Sequence, residues 1–396
     1  MKVLYILDPG TVGGATRAFM ELVVQLKDYG VEPIVLTGSK NDFNIELNKL
    51  GINNISIGHK PVLVQIWTKS WKRRIVYIVN KAMYLLFRFK ALYIVSKNVD
   101  LKSIDLIHTN SARNDIGCFL NKKYKIPHIC HIREFGDLDF NCTTLNSNYI
   151  NIFNKYTTSF LAISNAVKKH WCSKGIIASK IRVVYDGVSP FGINTSEASN
   201  KHNKILRMVI AGGVFPTKGQ HIAVEAIGLL PKIIRENVTL DIIGWYSKSY
   251  VDYINLIISK YKIQKNISIL GPKDNVRSLY CNYQIGLMCS RNEGFGLVTA
   301  EYMHAGLGVI ASDSGACPEL IKDKVHGMLF KMGDAKSLSE KISELFNDRA
   351  LLVELSINAQ KRAREIFTSQ NNAKQIIDIY NTLRNEKNID YCNNNI

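Results

Sequence analysis

At 396 residues the chain exceeds the length over which a single hydrophobic core usually keeps growing, so two domains are expected. Its 46% hydrophobic and 21% charged residues argue against a disordered chain, a collagen-like repeat and a multi-span membrane protein. The formal charge of +18 points to an anionic partner: nucleic acid, an anionic bilayer or a phosphorylated substrate.

The opening MKVLYILDPG runs a buried strand straight into a Gly-rich turn, without the long apolar region and cleavage site of a signal peptide, which predicts a cytoplasmic location. Short apolar runs then alternate with helical patterns. Val3 to Leu7 is followed by a helix over Ala15 to Asp28, a strand over Pro33 to Thr37 and a helix near Phe43 to Leu50. Strands follow at Leu106 to Thr109, His128 to His131, Phe160 to Ile163 and Ile181 to Val184. This βαβ alternation predicts a parallel sheet in a first domain, residues 1–188.

One segment breaks the pattern. Between Leu47 and Val99 there is no Asp or Glu but there are ten Lys or Arg, interleaved with Trp67, Trp71, Tyr77, Tyr84, Phe87, Phe89 and Tyr93. Ile75 to Val95 is strongly apolar, yet Lys81, Arg88 and Lys90 interrupt it, which a spanning helix would rarely tolerate. We read about 61–98 as a basic amphipathic insertion lying in an anionic membrane surface, with Lys69, Lys72, Arg73, Arg74, Arg88 and Lys90 as the membrane- or acceptor-facing cations. The rival reading is a domain helix with a core-facing apolar stripe and solvated cations. The chain lacks an RRM-like aromatic run or a KH-like loop, so no nucleic-acid partner is expected.

The polar stretch at 189–204 reads as a linker. A second alternating series at Leu206 to Ala211, Leu240 to Ile243, Ile267 to Leu270, Ile285 to Met288 and Gly308 to Ala311 makes a second doubly wound domain, residues 205–368. Residues 369–396 are expected to form a terminal helix and tail that pack back on the first domain.

The chemistry concentrates in RNEGFGLVTAEYM, Arg291 to Met303, which has strand, glycine loop and helix character. Gly294 and Gly296 permit close backbone approach, and the helix start presents free amides and a positive dipole suited to a diphosphate. Glu293 and Glu301 are carboxylates of the kind that bind sugar hydroxyls, placed to point into one crevice. The eight cysteines include no CxxC pair or zinc-like cluster, and no P-loop or nucleophile elbow is present. Asp137 and Asp139 form a DLD string that we place in a solvated loop rather than at a metal.

The two glutamates separated by seven residues around a Gly-Phe-Gly turn resemble the mark of glycosyltransferase family 4. The resemblance extends to VFPTKGQ, SGACPELI and HGMLFKMGD, covering nearly the whole second domain, and CHIREFGD resembles bacterial capsule and cell-surface polysaccharide enzymes of that family. It implies a GT-B fold, two Rossmann-like domains facing each other across a cleft, and retaining transfer from a nucleotide-sugar donor that is UDP- or GDP-linked, with no cofactor and no metal. It implies that Glu293 holds donor-sugar hydroxyls, Glu301 the ribose, Lys218 the diphosphate, and Phe295, Gly296, Leu297 and Val298 the sugar and diphosphate through their amides. Gly13 and Gly14 would approach the donor phosphate, and His131 would line the reaction centre, although both His131 and His108 have a structural alternative. Gly213 stands where the family commonly has a phosphate-binding arginine.

Combined with the basic segment, the resemblance implies a lipid-linked saccharide acceptor, an anionic membrane surface as partner, and a peripheral position on the inner face of the cell membrane. The alternatives are a nucleotide-sugar 2-epimerase of the same fold and an inactive accessory subunit.

Overall fold

The computed structural model describes residues 1–8, 13–39, 42–66, 71–191 and 204–393. The chain forms two compact units, Met1–Asp186 with Ser369–Ile396, and Gly187–Thr368. Of the polar stretch read as a linker, 192–203 lie outside the described residues, as do Lys69 and Trp67.

The first unit begins β1 (Lys2–Ile6), α1 (Gly14–Asp28), β2 (Glu32–Thr37), α2 (Asp42–Lys49) and β3 (Asn53–Ser56). Then come β4 (Leu63–Gln65), α3 (Trp71–Asn98), β5 (Leu106–Thr109), α4 (Ile116–Tyr124), β6 (His128–Ile132), α5 (Asp137–Phe140) and β7 (Cys142–Thr144). It continues with α6 (Tyr149–Tyr156), β8 (Ser159–Ala162), α7 (Asn165–Ser173) and β9 (Ile181–Val183). Seven parallel strands run in the order β3-β2-β1-β5-β6-β8-β9, while β4 and β7 pair antiparallel outside that sheet.

Successive residues of β1 serve opposite faces, as the two-residue period of a strand requires. Val3 and Tyr5 join the core against α1, and Leu4 and Ile6 join the core against α3 and α4. A strand buried on both sides is mostly apolar, which is why β1 and β8 stand out as apolar runs, whereas β5 (LIHT) and β6 (HICHI) also bury His108, Thr109, His128 and His131, each held by a hydrogen bond. β3 is an edge strand of sequence NNIS, half-buried, and carries no such run.

The second unit holds β10 (Leu206–Ala211), α8 (Gln220–Leu229), α9 (Lys232–Arg235), β11 (Val238–Ile243), α10 (Lys248–Tyr261), β12 (Ile267–Gly271) and α11 (Val276–Leu279). β13 (Ile285–Met288), α12 (Leu297–His304), β14 (Gly308–Ser312), α13 (Cys317–Leu320), β15 (Met328–Phe330), α14 (Ala335–Asn347) and α15 (Arg349–Ile366) complete it. Its six strands are parallel in the order β12-β11-β10-β13-β14-β15, the doubly wound order whose direction reverses between β10 and β13. The last helix, α16 (Ser369–Asn393), belongs to the first unit. Ala373, Ile376, Tyr380 and Leu383 recur at helical spacing and are buried with Phe19 and Leu22 of α1.

Helix α3 combines both readings offered by its sequence. Tyr84, Ala91 and Val95 face inward and are buried. On the other side Trp71, Ile78, Leu86 and Phe89 are each 64–66% exposed, and Ile75 and Tyr93 more than half exposed. Arg88 is a correction to the set of outward cations: its Nη1 donates to the Tyr84 hydroxyl at 2.8 Å and lies 3.9 Å from Asp115 Oδ2. Its guanidinium also sits 4.1 Å from the ring centroid of Phe119. A core carboxylate thus draws this one cation inward, whereas Lys72, Arg73, Arg74 and Lys90 are exposed.

Candidate functional site

The switch in strand order between β10 and β13 opens a crevice at the carboxyl ends of these two strands, the usual ligand position in such sheets. The chain leaving β10 makes a tight turn, Pro216–Lys218, closed by Gly219 at φ +72°. A Cβ on Gly219 would lie 2.2 Å from the carbonyl oxygen of Cys289, so only glycine lets the Lys218 turn rest against the end of β13. The Arg291 amide donates to the Thr217 carbonyl at 3.1 Å, tying the two loops together.

That tie brings two separately predicted residues into contact: Lys218 Nζ lies 2.8 Å from Glu293 Oε2. The loop bearing Glu293 is braced by the SGACPEL segment. The Ala316 amide donates to the Glu293 carbonyl at 2.9 Å, and Gly315, at φ +60°, leaves no space for a Cβ, which would sit 2.4 Å from that same oxygen. Gly296, at φ +93°, then starts α12, whose first turn carries no acidic side chain to compensate its dipole. Phe295 anchors this start by packing edge-on against Phe367 at 5.7 Å, while Leu297 and Val298 remain partly exposed.

Glu301 has a separate set of partners. Its Oε1 accepts from Arg277 Nε and Nη2, each at 3.0 Å, and its Oε2 accepts from the Tyr280 hydroxyl at 2.9 Å. Burial and the Glu301 charge push the Tyr280 phenol well above its ordinary pKa, which keeps it a neutral donor. Neither Arg277 nor Tyr280 has a motif to announce it. Arg277 lies on the four-residue α11 and Tyr280 in a turn, and each is recognisable only by the carboxylate it meets. Gly213 contributes no charge, and a Cβ there would meet the Phe215 ring at 2.7 Å.

In the first unit Gly13 and Gly14 are exposed at the start of α1, and the Gly13 carbonyl accepts the first helical hydrogen bonds from Thr16 and Arg17. The remainder of that loop, 9–12, lies outside the described residues. His131, at the end of β6, is fully buried, its ring centroid 5.4 Å from that of His108. Burial foremost, then the neighbouring Arg133 charge, holds both imidazoles well below their ordinary pKa, so both are neutral near pH 7.

Arg133 organises this cluster. It donates to Asn110 Oδ1 at 2.8 Å and Asp186 Oδ1 at 2.5 Å, and its Nη2 lies 3.3 Å from His131 Nδ1. A guanidinium can only donate, so His131 accepts at Nδ1 and carries its proton on Nε2, which has no hydrogen-bond partner among the described residues. His108 instead shares a 2.5 Å hydrogen bond with Tyr380, a structural tie to α16.

Asp137 and Asp139 correct the expectation of a solvated loop: they form the short α5 turn. Asp139 accepts from the Phe135 and Gly136 amides at 2.8 Å each, and Asp137 pairs with Lys174 and, at 2.7 Å, with His170.

Comparison with known proteins agrees with this geometry. The family described as glycosyl transferases group 1 matches residues 193–362, and Glycosyltransferase Family 4 matches residues 12–190. An uncharacterized glycosyltransferase of Methanocaldococcus jannaschii is 28% identical over 92% of this chain and 95% of its own length. The capsular polysaccharide biosynthesis glycosyltransferase CapM of Staphylococcus aureus is 26% identical over 58% of this chain and 63% of its own. The crystal structure of Anabaena Alr3699/HepE in complex with UDP and glucose superposes with a TM-score of 0.78 at 20% identity, covering 96% of this chain and all of that one. The two matching families together span both units, and on that ground the chain belongs to the family 4, group 1 glycosyltransferases of GT-B fold.

Proposed function

We propose that this glycosyltransferase carries out retaining transfer of a sugar from a UDP- or GDP-linked donor to a lipid-linked saccharide at the cytoplasmic face of the membrane, in the assembly of a surface polysaccharide. The observation that carries the donor reading is the Lys218–Glu293 pair beside the start of α12. A cation, a carboxylate and helix-start amides close together are what a sugar joined to a diphosphate requires.

In the reaction the bond between the anomeric carbon and the diphosphate oxygen breaks. The acceptor oxygen bonds that carbon on the same face, and its proton passes to the departing diphosphate. Lys218 and the Leu297 and Val298 amides stabilise the charge developing on the leaving group, so no metal is required. Glu293, released from Lys218 by the diphosphate, accepts from donor-sugar hydroxyls. Glu301, oriented by Arg277 and Tyr280, accepts from the ribose. In the first unit, His131 lines the reaction centre in this reading, and its buried Nε2–H becomes a donor to a saccharide oxygen when acceptor binding uncovers it.

The membrane reading rests on α3. Its exposed apolar residues recur every three or four positions from Trp71 to Tyr93, a stripe ~33 Å long, with Lys72, Arg73, Arg74 and Lys90 exposed on the same helix. No helix among the described residues is long and apolar enough to cross a membrane. The place of CapM in capsular polysaccharide biosynthesis supports the choice of pathway.

The test incubates purified protein with bacterial membranes and a panel of nucleotide sugars, with and without EDTA. Acceptor-dependent release of nucleoside diphosphate, insensitive to EDTA, with label entering the lipid extract, is the expected result. Interconversion of the donor without an acceptor would show an epimerase, and inactivity across the panel would favour an accessory subunit.

A further inference from the structure

A second cavity, of about 430 Å³, lies wholly within the first unit. It is lined by residues that follow the carboxyl ends of four sheet strands: Asp8 after β1, Ser39 after β2, His59 and Lys60 after β3, and Arg113 after β5. Phe87 of α3 closes one side. This is where a doubly wound sheet offers a ligand backbone and side-chain groups from several loops at once.

The charges in the cavity do not cancel. Arg113 Nη1 is paired with Asp8 Oδ2 at 2.8 Å, which leaves Lys60 as a second cation. Lys60 is exposed, with its Nζ 5.6 Å from the Phe87 ring centroid, and Lys90 approaches the same ring at 5.9 Å. Burial pushes His59 down to about 4, so it adds no charge near pH 7, and its Nε2 is engaged with Asn114 at 2.5 Å. The Arg–Asp pair offers donors and acceptors for sugar hydroxyls, and the Lys60 ammonium, held beside the Phe87 ring, selects an anion.

We propose that this cavity is an acceptor subsite that recognises a saccharide carrying an anionic substituent, phosphoryl or carboxylate, read by Lys60. The assignment rests on the glycosyl-transfer reading above. Phe87 lies one helical turn beyond Met83, an exposed member of the apolar stripe of α3, so a phosphoryl group bound here would lie beside that stripe, as the junction between a lipid and its first sugar must.

The experiment uses the full-length protein and three soluble probes: a short-chain alkyl glycosyl diphosphate, the uncharged alkyl glycoside of the same sugar, and the alkyl hexuronide. Calorimetry on the wild type should show about tenfold tighter binding of an anionic probe than of the neutral one. Lys60→Glu should erase that preference and Lys60→Arg retain it, with UDP affinity unchanged in both. A stronger preference for the diphosphate identifies the lipid junction, and one for the hexuronide an acidic saccharide.

Equal binding of charged and neutral probes by the wild type, or a preference that survives Lys60→Glu, would overturn the subsite. If the anion preference follows Lys60 but no donor supports transfer, the anion site stands and the glycosyl-transfer reading fails. If transfer proceeds equally to charged and neutral acceptors, the subsite alone fails.

Discussion

Lys218 Nζ and Glu293 Oε2 are 2.8 Å apart although 75 positions separate them in the chain. Neither side chain is fully buried, so the pair itself adds at most ~1 kcal/mol to stability. What the contact achieves is to hold two ligand-binding groups in one place before the ligand arrives. Lys218→Ala and Glu293→Ala should each lower kcat by ~10²–10³-fold. The double variant should lose far less than the product of the two, because the groups act as a unit. Steady-state nucleoside diphosphate release for the four proteins gives the cycle, and multiplicative losses would refute the coupling.

Arg277 is a positioning residue that acts through Glu301. Arg277→Leu removes both guanidinium hydrogen bonds from a carboxylate only 4% exposed and leaves it the Tyr280 hydroxyl as its side-chain donor among the described residues. A stability loss of ~1.5–3 kcal/mol is expected. If Glu301 holds the ribose, the Kd for the free nucleoside diphosphate should rise as well, whereas Arg277→Lys should recover part of both. Urea unfolding and calorimetric titration separate the two effects.

Arg133 and Asp186 form an ion pair whose side chains are 2% and 5% exposed. Asp186→Ala strands the guanidinium in the interior and should cost ~3–5 kcal/mol, measured as a shift in the urea midpoint. Arg133→Met also removes the donor facing His131 Nδ1. It should raise the imidazole pKa through loss of the nearby charge, an upward shift visible in the histidine NMR titration.

Burial above all raises the Glu134 carboxyl to about 7. Asp8 and Asp139 push the same way, while the Ser111 hydroxyl and Arg113 oppose them. The folded chain therefore holds a proton that the unfolded chain releases near pH 4.3. Its contribution is fully present below that pH and is lost as pH rises toward 7, by up to about 4 kcal/mol. Glu134→Gln, which cannot ionise, should remove that decline. Chemical unfolding of both proteins at pH 5 and pH 8 tests it.

The outer face of α3 can be altered without touching the core. Leu86→Glu with Phe89→Glu should leave the unfolding free energy within ~0.5 kcal/mol of wild type, because both residues are largely exposed. Sedimentation with phosphatidylglycerol vesicles should fall about tenfold or more. Unchanged sedimentation would rule out this face as the membrane contact.

How far the sequence could be read depended on where each residue sits. β1, β13 and β14 are buried inside their sheets and stand out as apolar runs, whereas β3 at the sheet edge, with its Asn-Asn start, does not. α3 carries apolar residues on both its inward and outward sides, so periodicity could not say which side is core. The rotation is set by Tyr84 and Arg88 meeting Asp115, a carboxylate 27 positions beyond Arg88.

By itself the sequence determined what local chemistry can specify: the βα alternation, the glycines that permit tight turns, and Lys218, Glu293 and Glu301 as candidate ligand groups. Tertiary structure alone decided the pairings. Which carboxylate faces Lys218 and which faces Arg277, that Arg133 sets the His131 tautomer, and that α16 returns to the first unit all depend on contacts between distant segments. Such contacts exist only once the sheets have formed, because a side chain gains a partner through burial and strand order, and neither is encoded in its immediate neighbours.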